Sequence, residues 1–163
     1  MQKKFALTNE TRVFNNKTLY RIKALRDFDD VKTGALGGFI ENENNLSHDG
    51  NCWVYDNAIA AGYIYDNAHV YGNAVVSDNS RVYGNAHVYG KAIIYDNAYV
   101  YDNARVYENA RIANDVHVYE NAHIHGIAVI RENVGGSTKV KTYTERLSPY
   151  GELEIVWVSP NVT

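Results

Sequence analysis

Four side chains able to exchange protons or hold an anion recur at a fixed interval, and a fifth stands close to the last. His69, His87, Arg105 and His123 stand eighteen residues apart, and His125 follows two positions after the last of them. Tyr71, Tyr89 and Tyr107 keep the same interval, each two residues beyond a member of the first series. Imidazole is the side chain best suited to proton transfer near neutral pH. A guanidinium among imidazoles suits an anion such as a phosphate or the pyrophosphate of a cofactor. A row of tyrosines can form a platform for a planar ligand or a sugar. A plainer reading stands beside these. His and Arg are tolerated at outward positions of a drifting repeat, and like residues stacked on neighbouring strands contribute a few tenths of a kcal/mol each. Stacked histidines resist charging together, so such a column gains positive charge only as pH falls.

The interval is set by a shorter one. Ile64, Val70, Val76, Val82, Val88, Ile94, Val100, Val106, Ile112, Val118, Ile124 and Ile130 fall at every sixth position. Four residues after each comes a small one, from Ala68 and Ala74 to Ala122 and Ala128, with Ser80, Val116 and Val134 as variants. The unit is V-Y-(D/G/E)-N-A-x. A hexapeptide period predicts a parallel β-helix, and the 3.6-residue spacing of an amphipathic α-helix is absent. The β-branched residue points inward, its two neighbours point outward, the next two residues turn a corner, and Ala fits inside that corner. Three units close one triangular coil, so residues eighteen apart stack at about 4.8 Å.

Sorting the outward residues by side of the triangle gives three faces. The first, on Ile64, Val82, Val100 and Val118, carries Tyr65, Tyr83, Tyr101 and Tyr119 beside Tyr63, Arg81, Tyr99 and His117. The second, on Val70, Val88, Val106 and Ile124, carries the His/Arg column and Tyr71, Tyr89, Tyr107 and His125. The third, on Val76, Ile94, Ile112 and Ile130, presents Val75, Ile93, Arg111 and Val129 beside Ser77, Tyr95, Ala113 and Arg131. Its vertical run of aliphatic side chains predicts self-association through Val75, Ile93, Val129, Tyr95 and Ala113. Burying each large aliphatic there would contribute roughly 1.5–3 kcal/mol. Packing against the chain's own terminal segments is the alternative.

Composition excludes several classes. The 163 residues carry a net charge of −3 with both signs interspersed, which predicts no nucleic-acid polymer as partner. No apolar run reaches membrane-spanning length and the charged N-terminus lacks a signal peptide's apolar core, so the cytoplasm is the expected compartment. A single cysteine, Cys52, excludes an intramolecular disulfide and a multi-cysteine metal site. No metal site is expected.

Residues 1–45 read as an N-terminal β cap, with "TRVF" and "LYRIKAL" as strands joined near Asn15, Asn16 and Lys17. Residues 46–134 are the hexapeptide-repeat β-helix, of about four to five coils. Its entry is irregular: Leu46 and Val54 are eight residues apart, and Val54 and Ile64 ten. A two-residue bulge near Cys52-Trp53 and a matching deletion among Ala60-Ala61-Gly62-Tyr63 account for both. Residues 135–163 read as a C-terminal hairpin, "TKVKTYTERL" and "LEIVWVS", whose apolar side (Ile155, Val156, Trp157) either caps the coils or contacts a second copy.

The pattern resembles the left-handed β-helix of the hexapeptide-repeat superfamily, which includes acyltransferases and γ-type carbonic anhydrases. "LGGFIENENNLSHDGNCWVYDNA" and "VYGNAHVYGKAIIYDNAYVYDNARVYENA" look like the repeats of bacterial and phage-encoded, transferase-like members, over roughly residues 17–134. The resemblance implies left-handed coils, a homotrimer with parallel axes and, for the acyltransferases, coenzyme A bound along the coils beside a histidine base. His87 or His123 would fill that place. Two acyltransferase features are missing: no long loop interrupts the coils, and the glycine-rich ending with a proline-rich coenzyme segment is absent. The carbonic anhydrase pattern fails too, because His117 lies on a different face from His123 and His125. The resulting expectation is an all-β, left-handed, non-catalytic binding scaffold without a cofactor. Its ligand would be a small anion or nucleotide or its partner a host protein, as for a phage-encoded host-interaction or counter-defence factor. Acyl-coenzyme A-dependent transfer is the alternative.

Overall fold

A computed structural model describes residues 2–140, together with the backbone of the strands at 143–147, 153–157 and 161–162. The hexads form two-residue strands in three parallel sheets, one per face. Residues eighteen apart pair in register, as in His69↔His87, Tyr99↔His117 and Ile93↔Arg111. The architecture is the left-handed parallel β-helix of the hexapeptide class. Every inward aliphatic from Ile64 to Ile130 is at most 1% exposed, and Ala68, Ala86, Ala98 and Ala110 fill the corners at 0%.

The corners show what the third and fourth hexad positions do. The third residue carries positive φ: 57° at Asp66, 59° at Asp78 and 57° at Glu108. Gly72, Gly84, Gly90 and Gly126 take the same left-handed conformation, whereas the Asn that follows in the fourth place does not. The Asp and Glu carboxylates offset the strain by accepting the amide of the equivalent residue one coil on. Asp66 accepts from Gly84 N at 3.1 Å, Asp102 from Glu120 N at 3.0 Å and Glu108 from Gly126 N at 2.9 Å. The Asn instead donates its backbone N–H to the next coil, Asn67 to Gly84 O at 2.9 Å. These bonds satisfy corner amides that no strand ladder reaches.

Each face holds six levels rather than the four to five coils expected from the clean repeat. The third face, for example, stacks Ile40, Ala60, Val76, Ile94, Ile112 and Ile130. The irregular entry resolves as the bulge and deletion anticipated: Leu46 bridges Ile64, Trp53 pairs His69 and Ile59 pairs Val75. The side from Leu46 to Val54 takes eight residues and the side from Ala60 to Ile64 only four. A second four-residue side follows Ile130. Val134 therefore does not occupy the small corner position predicted for it but bridges Val118 as an inward strand residue. The period does not stop there: Val140, in the strand Thr138–Val140, pairs with Ile124 and is buried.

Strands β1 (Phe5–Phe14) and β2 (Lys17–Ala24) form the predicted hairpin, turning at Asn15 and Asn16, both at positive φ. β2 pairs with β3 (Leu36–Ile40), which runs parallel to Ile59–Ala60, so the hairpin extends the third face's sheet. Phe5, Phe28 and Val31 close over Trp53 at the end of the core. Lys4, fully buried, donates through Nζ to Cys52 O at 2.7 Å and Gly50 O at 3.3 Å, with Cys52 Sγ at 3.3 Å. Burial pushes the Lys4 pKa down and the Cys52 thiol up, so the thiol is a packing group. In the C-terminal segment, Tyr143–Leu147 and Leu153–Trp157 pair antiparallel, and Asn161–Val162 pairs with Thr138–Val140. The apolar side predicted for that hairpin lies outside the described side chains.

Candidate functional site

The second face gathers the predicted candidates into two columns. His69, His87, Arg105 and His123 succeed one another rung by rung, and Lys139 continues the column below. Tyr71, Tyr89, Tyr107 and His125 form the other. Their rings stack at centroid distances of 4.7, 4.9 and 4.7 Å and within 10° of parallel. The tyrosine ladder is therefore mostly self-contacting. It ends at Tyr71, because Tyr55 above is turned by 85°.

A groove of about 260 Å³ opens at that break, lined by Asp30, Tyr55, Asp56, His69, Tyr71 and His87. Of the residues predicted from sequence it holds His69, Tyr71 and His87. Arg105, His123, Tyr89, Tyr107 and His125 lie further down the same face. Its other walls come from the irregular first coil and from the segment between β2 and β3, which crosses the face. Phe28 anchors that segment, packing edge-on against Trp53 at 5.2 Å and bridging to Val31. Asp29 (φ 45°) and Asp30 thereby overhang the columns. Asp29 Oδ2 sits 3.3 Å from His69 Nε2, and Tyr55 Oη donates to Asp30 at 2.7 Å. Sequence reasoning missed Asp29, Asp30, Tyr55 and Asp56. The signal for the last two was available, since Val54-Tyr55-Asp56-Asn57-Ala58 is an intact hexad once the eight-residue side before it is placed.

Burial and its neighbours set the protonation of the site. His87 is pushed down to about 4, first by desolvation, then by Arg105 and His69. It is neutral at physiological pH, with Nδ1 3.4 Å from Tyr71 Oη. Burial and then Arg105 lower His123 as well. Burial and the neighbouring Tyr89 raise Tyr71, and burial and Asp30 raise Tyr55, so both keep their protons. Among the described residues no three His, Cys, Asp or Glu side chains gather as metal ligands.

The third face is partly occupied. Leu19, Phe39, Ile59 and Ala61 form a second apolar cluster beneath the N-terminal hairpin, and Phe14 and Val75 pack against it. Ile93, Val129 and Tyr95 stay half-buried, Ala113 is buried, and Arg111 interrupts the aliphatic row in the open.

Six stacked levels of hexads with inward aliphatics and alanine corners define a β-solenoid of hexapeptide repeats. Residues 64–78 match the model of the YdcK β-solenoid repeat. The chain is also similar to an Escherichia coli (strain K12) protein described as "Uncharacterized acetyltransferase YdcK", 38% identical over 87 residues. That match covers 48% of this chain and 24% of the relative, so the chain aligns with about a quarter of the length of the curated relative. No helix among the described residues is long and apolar enough to cross a membrane.

Proposed function

We propose that the chain is a binding scaffold that holds a small polar ligand in the second-face groove and self-associates as a homotrimer through the third face. The groove carries this reading. Rigid coils supply two walls, a separately anchored segment supplies a third, and aromatic, imidazole and carboxylate groups converge on about 260 Å³. The ligand, or a host protein seated on the same face, is held rather than converted. The half-buried Ile93 and Val129 supply the apolar contact for association. Native mass spectrometry and calorimetry test both parts: the expected result is a trimer that binds saturably without turnover. Ile93→Asp should give a monomer with its β signature intact in circular dichroism. A parent that is already monomeric removes the self-association.

One observation favours acyl transfer as a second reading. Asp29 engages His69 Nε2, which leaves Nδ1 as the basic nitrogen, the arrangement of a carboxylate-oriented general base. Geometry thus favours His69 over His87 or His123 as the base, and the relative's description as an acetyltransferase supports the reaction class alone. Coenzyme A release from acetyl-coenzyme A, lost in His69→Ala, would establish this reading in place of the first.

A further inference from the structure

The groove has a polarity that the repeat does not require. At its upper end each carboxylate is fixed through one oxygen: Asp29 by His69, Asp30 by Tyr55 and Asp56 by the Gly72 amide at 3.0 Å. Asp30 and Asp56 both line the groove, and the second carboxylate oxygen of each accepts no hydrogen bond among the described residues. Two rungs below His69, Arg105 is half-buried and its guanidinium makes no hydrogen bond or ion pair among the described residues. Its unneutralised charge is felt by both column neighbours, since it lowers His87 above and His123 below. Lys139 adds a second cation beyond them. The column therefore runs from hydrogen-bond acceptors at the top to an unpaired guanidinium about 10 Å down, two strand spacings.

A ligand matching this order has a planar, N–H-bearing head and an anionic tail. We propose, building on the ligand-groove reading above, that the site takes a guanine nucleotide. The base packs against Tyr55 and Tyr71 with its N–H edge on Asp30 and Asp56, and the phosphate chain descends past His87 to Arg105. Guanine presents two adjacent N–H donors on one edge, the complement of a carboxylate. Adenine would turn a ring acceptor toward those same oxygens and set acceptor against acceptor. The groove volume is below that of a typical whole-ligand pocket, so it encloses the base and leaves the phosphates along the open column. The drop of about 10 Å calls for two or three phosphates rather than one. Carboxylates at the top repel phosphate and fix the orientation.

Calorimetry on the full chain with GTP, ATP, guanosine, inorganic triphosphate and coenzyme A tests this. GTP should bind saturably and more tightly than either guanosine or triphosphate alone. Asp30→Asn should weaken GTP and guanosine alike, by about tenfold, and Arg105→Ala should weaken GTP about tenfold while leaving guanosine unchanged. Position 105 is an outward site filled by His on neighbouring coils, so the alanine variant leaves the core untouched, and circular dichroism confirms its fold. Triphosphate binding as tightly as GTP, ATP binding as tightly as GTP, or a GTP affinity indifferent to both substitutions overturns the assignment. Coenzyme A binding without GTP binding overturns the nucleotide and keeps the ligand groove. Silence toward all five probes overturns both.

Discussion

The regular coils from Ile64 to Ile130 and the irregular coil above them solve the same packing problem in different ways. In the regular part every side takes six residues, the Asp and Glu corners repeat one carboxylate-to-amide bond, and most outward tyrosines stack on the ring one coil away. Such a surface is largely occupied by its own contacts. In the upper coil the sides take eight, six and four residues, the ladder breaks between Tyr55 and Tyr71, and a segment from outside the repeat crosses the face. The groove exists only there. Regularity supplies the rigid platform, and a local departure from it supplies the site.

The largest expected effect falls where the irregular coil meets the N-terminal segment. Gly38 in β3 passes over the corner Tyr55–Ala58, and a Cβ there would collide with Ala58 O and stand 2.6 Å from Val54 Cγ1. Neither neighbour is a flexible side-chain end, so Gly38→Ala forces backbone movement. It should cost about 3 kcal/mol, the upper end of overpacking penalties, and should loosen the segment bearing Asp29 and Asp30. Urea denaturation measures the loss. A parent-like midpoint would mean that the cap does not press on the first coil, and the groove would lose its third wall.

Within the regular coils the counterpart is Ala98→Leu. Ala98 is fully buried inside a corner, and three extra carbons there push the wall outward. A loss of roughly 1–3 kcal/mol is expected, smaller than at Gly38 because an open corner relaxes more easily than two crossing backbones. An unchanged melting temperature would contradict the inward assignment of the fifth hexad position.

How much of this was legible depends on what fixes each feature. The repeat, the inward residues and the three faces follow from a period of six, which is covalent and local. The bulge and deletion before Ile64 could be placed because Leu46, Val54 and Ile64 still look like inward residues. The four-residue side after Ile130 was misread because Val134 suits either a corner or a strand; only the pairing with Val118 decides. Asp29 and Asp30 reach the site through Phe28 and Val31, contacts between segments far apart in sequence that no short-range pattern encodes. The His/Arg column was found, while the carboxylates that give it polarity were not.

A smaller effect separates the groove histidine from the rest. His87 has its pKa near 4 in the folded chain against an ordinary 6.5. The unfolded chain therefore binds the proton more readily. The stability that comes from keeping the ring neutral is complete above about pH 6.5 and is lost as pH falls toward 4. His123 and His48, also lowered, act in the same direction. His87→Gln should flatten part of the fall in melting temperature between pH 6.5 and 4. Arg105→Ala should flatten it as well, because losing that cation raises the folded His87 pKa toward 6.5 and narrows the window over which the unfolded chain binds the proton more readily. Parallel curves for parent and His87→Gln would show that the ring is not held neutral by its surroundings, which include Arg105, His69 and Tyr71.

The smallest expected effect tests whether the coils are truly equivalent outside the irregular level. Gly72 occupies a corner at φ 67°, the place held by Asp66, Asp78, Asp96 and Asp102 in other units at φ 56–59°. A Cβ at Gly72 would meet Gly90 N at 3.1 Å, which requires a shift of a few tenths of an ångström. Against that strain, the new carboxylate of Gly72→Asp could accept the Gly90 amide, as Asp66 accepts Gly84 N at 3.1 Å. A left-handed Asp costs on the order of 1 kcal/mol, and a charge-assisted bond returns a similar amount. Asp56 above would then face a second carboxylate, but Asp78 and Asp96 already stack in this way, with Asp96 N donating to Asp78 at 3.2 Å. The net change should stay within about 0.5 kcal/mol of zero by urea denaturation. A loss near 3 kcal/mol, matching Gly38→Ala, would mean that the irregularity of the first coil extends one level further down, and that the groove floor at Tyr71 is as specialised as its roof.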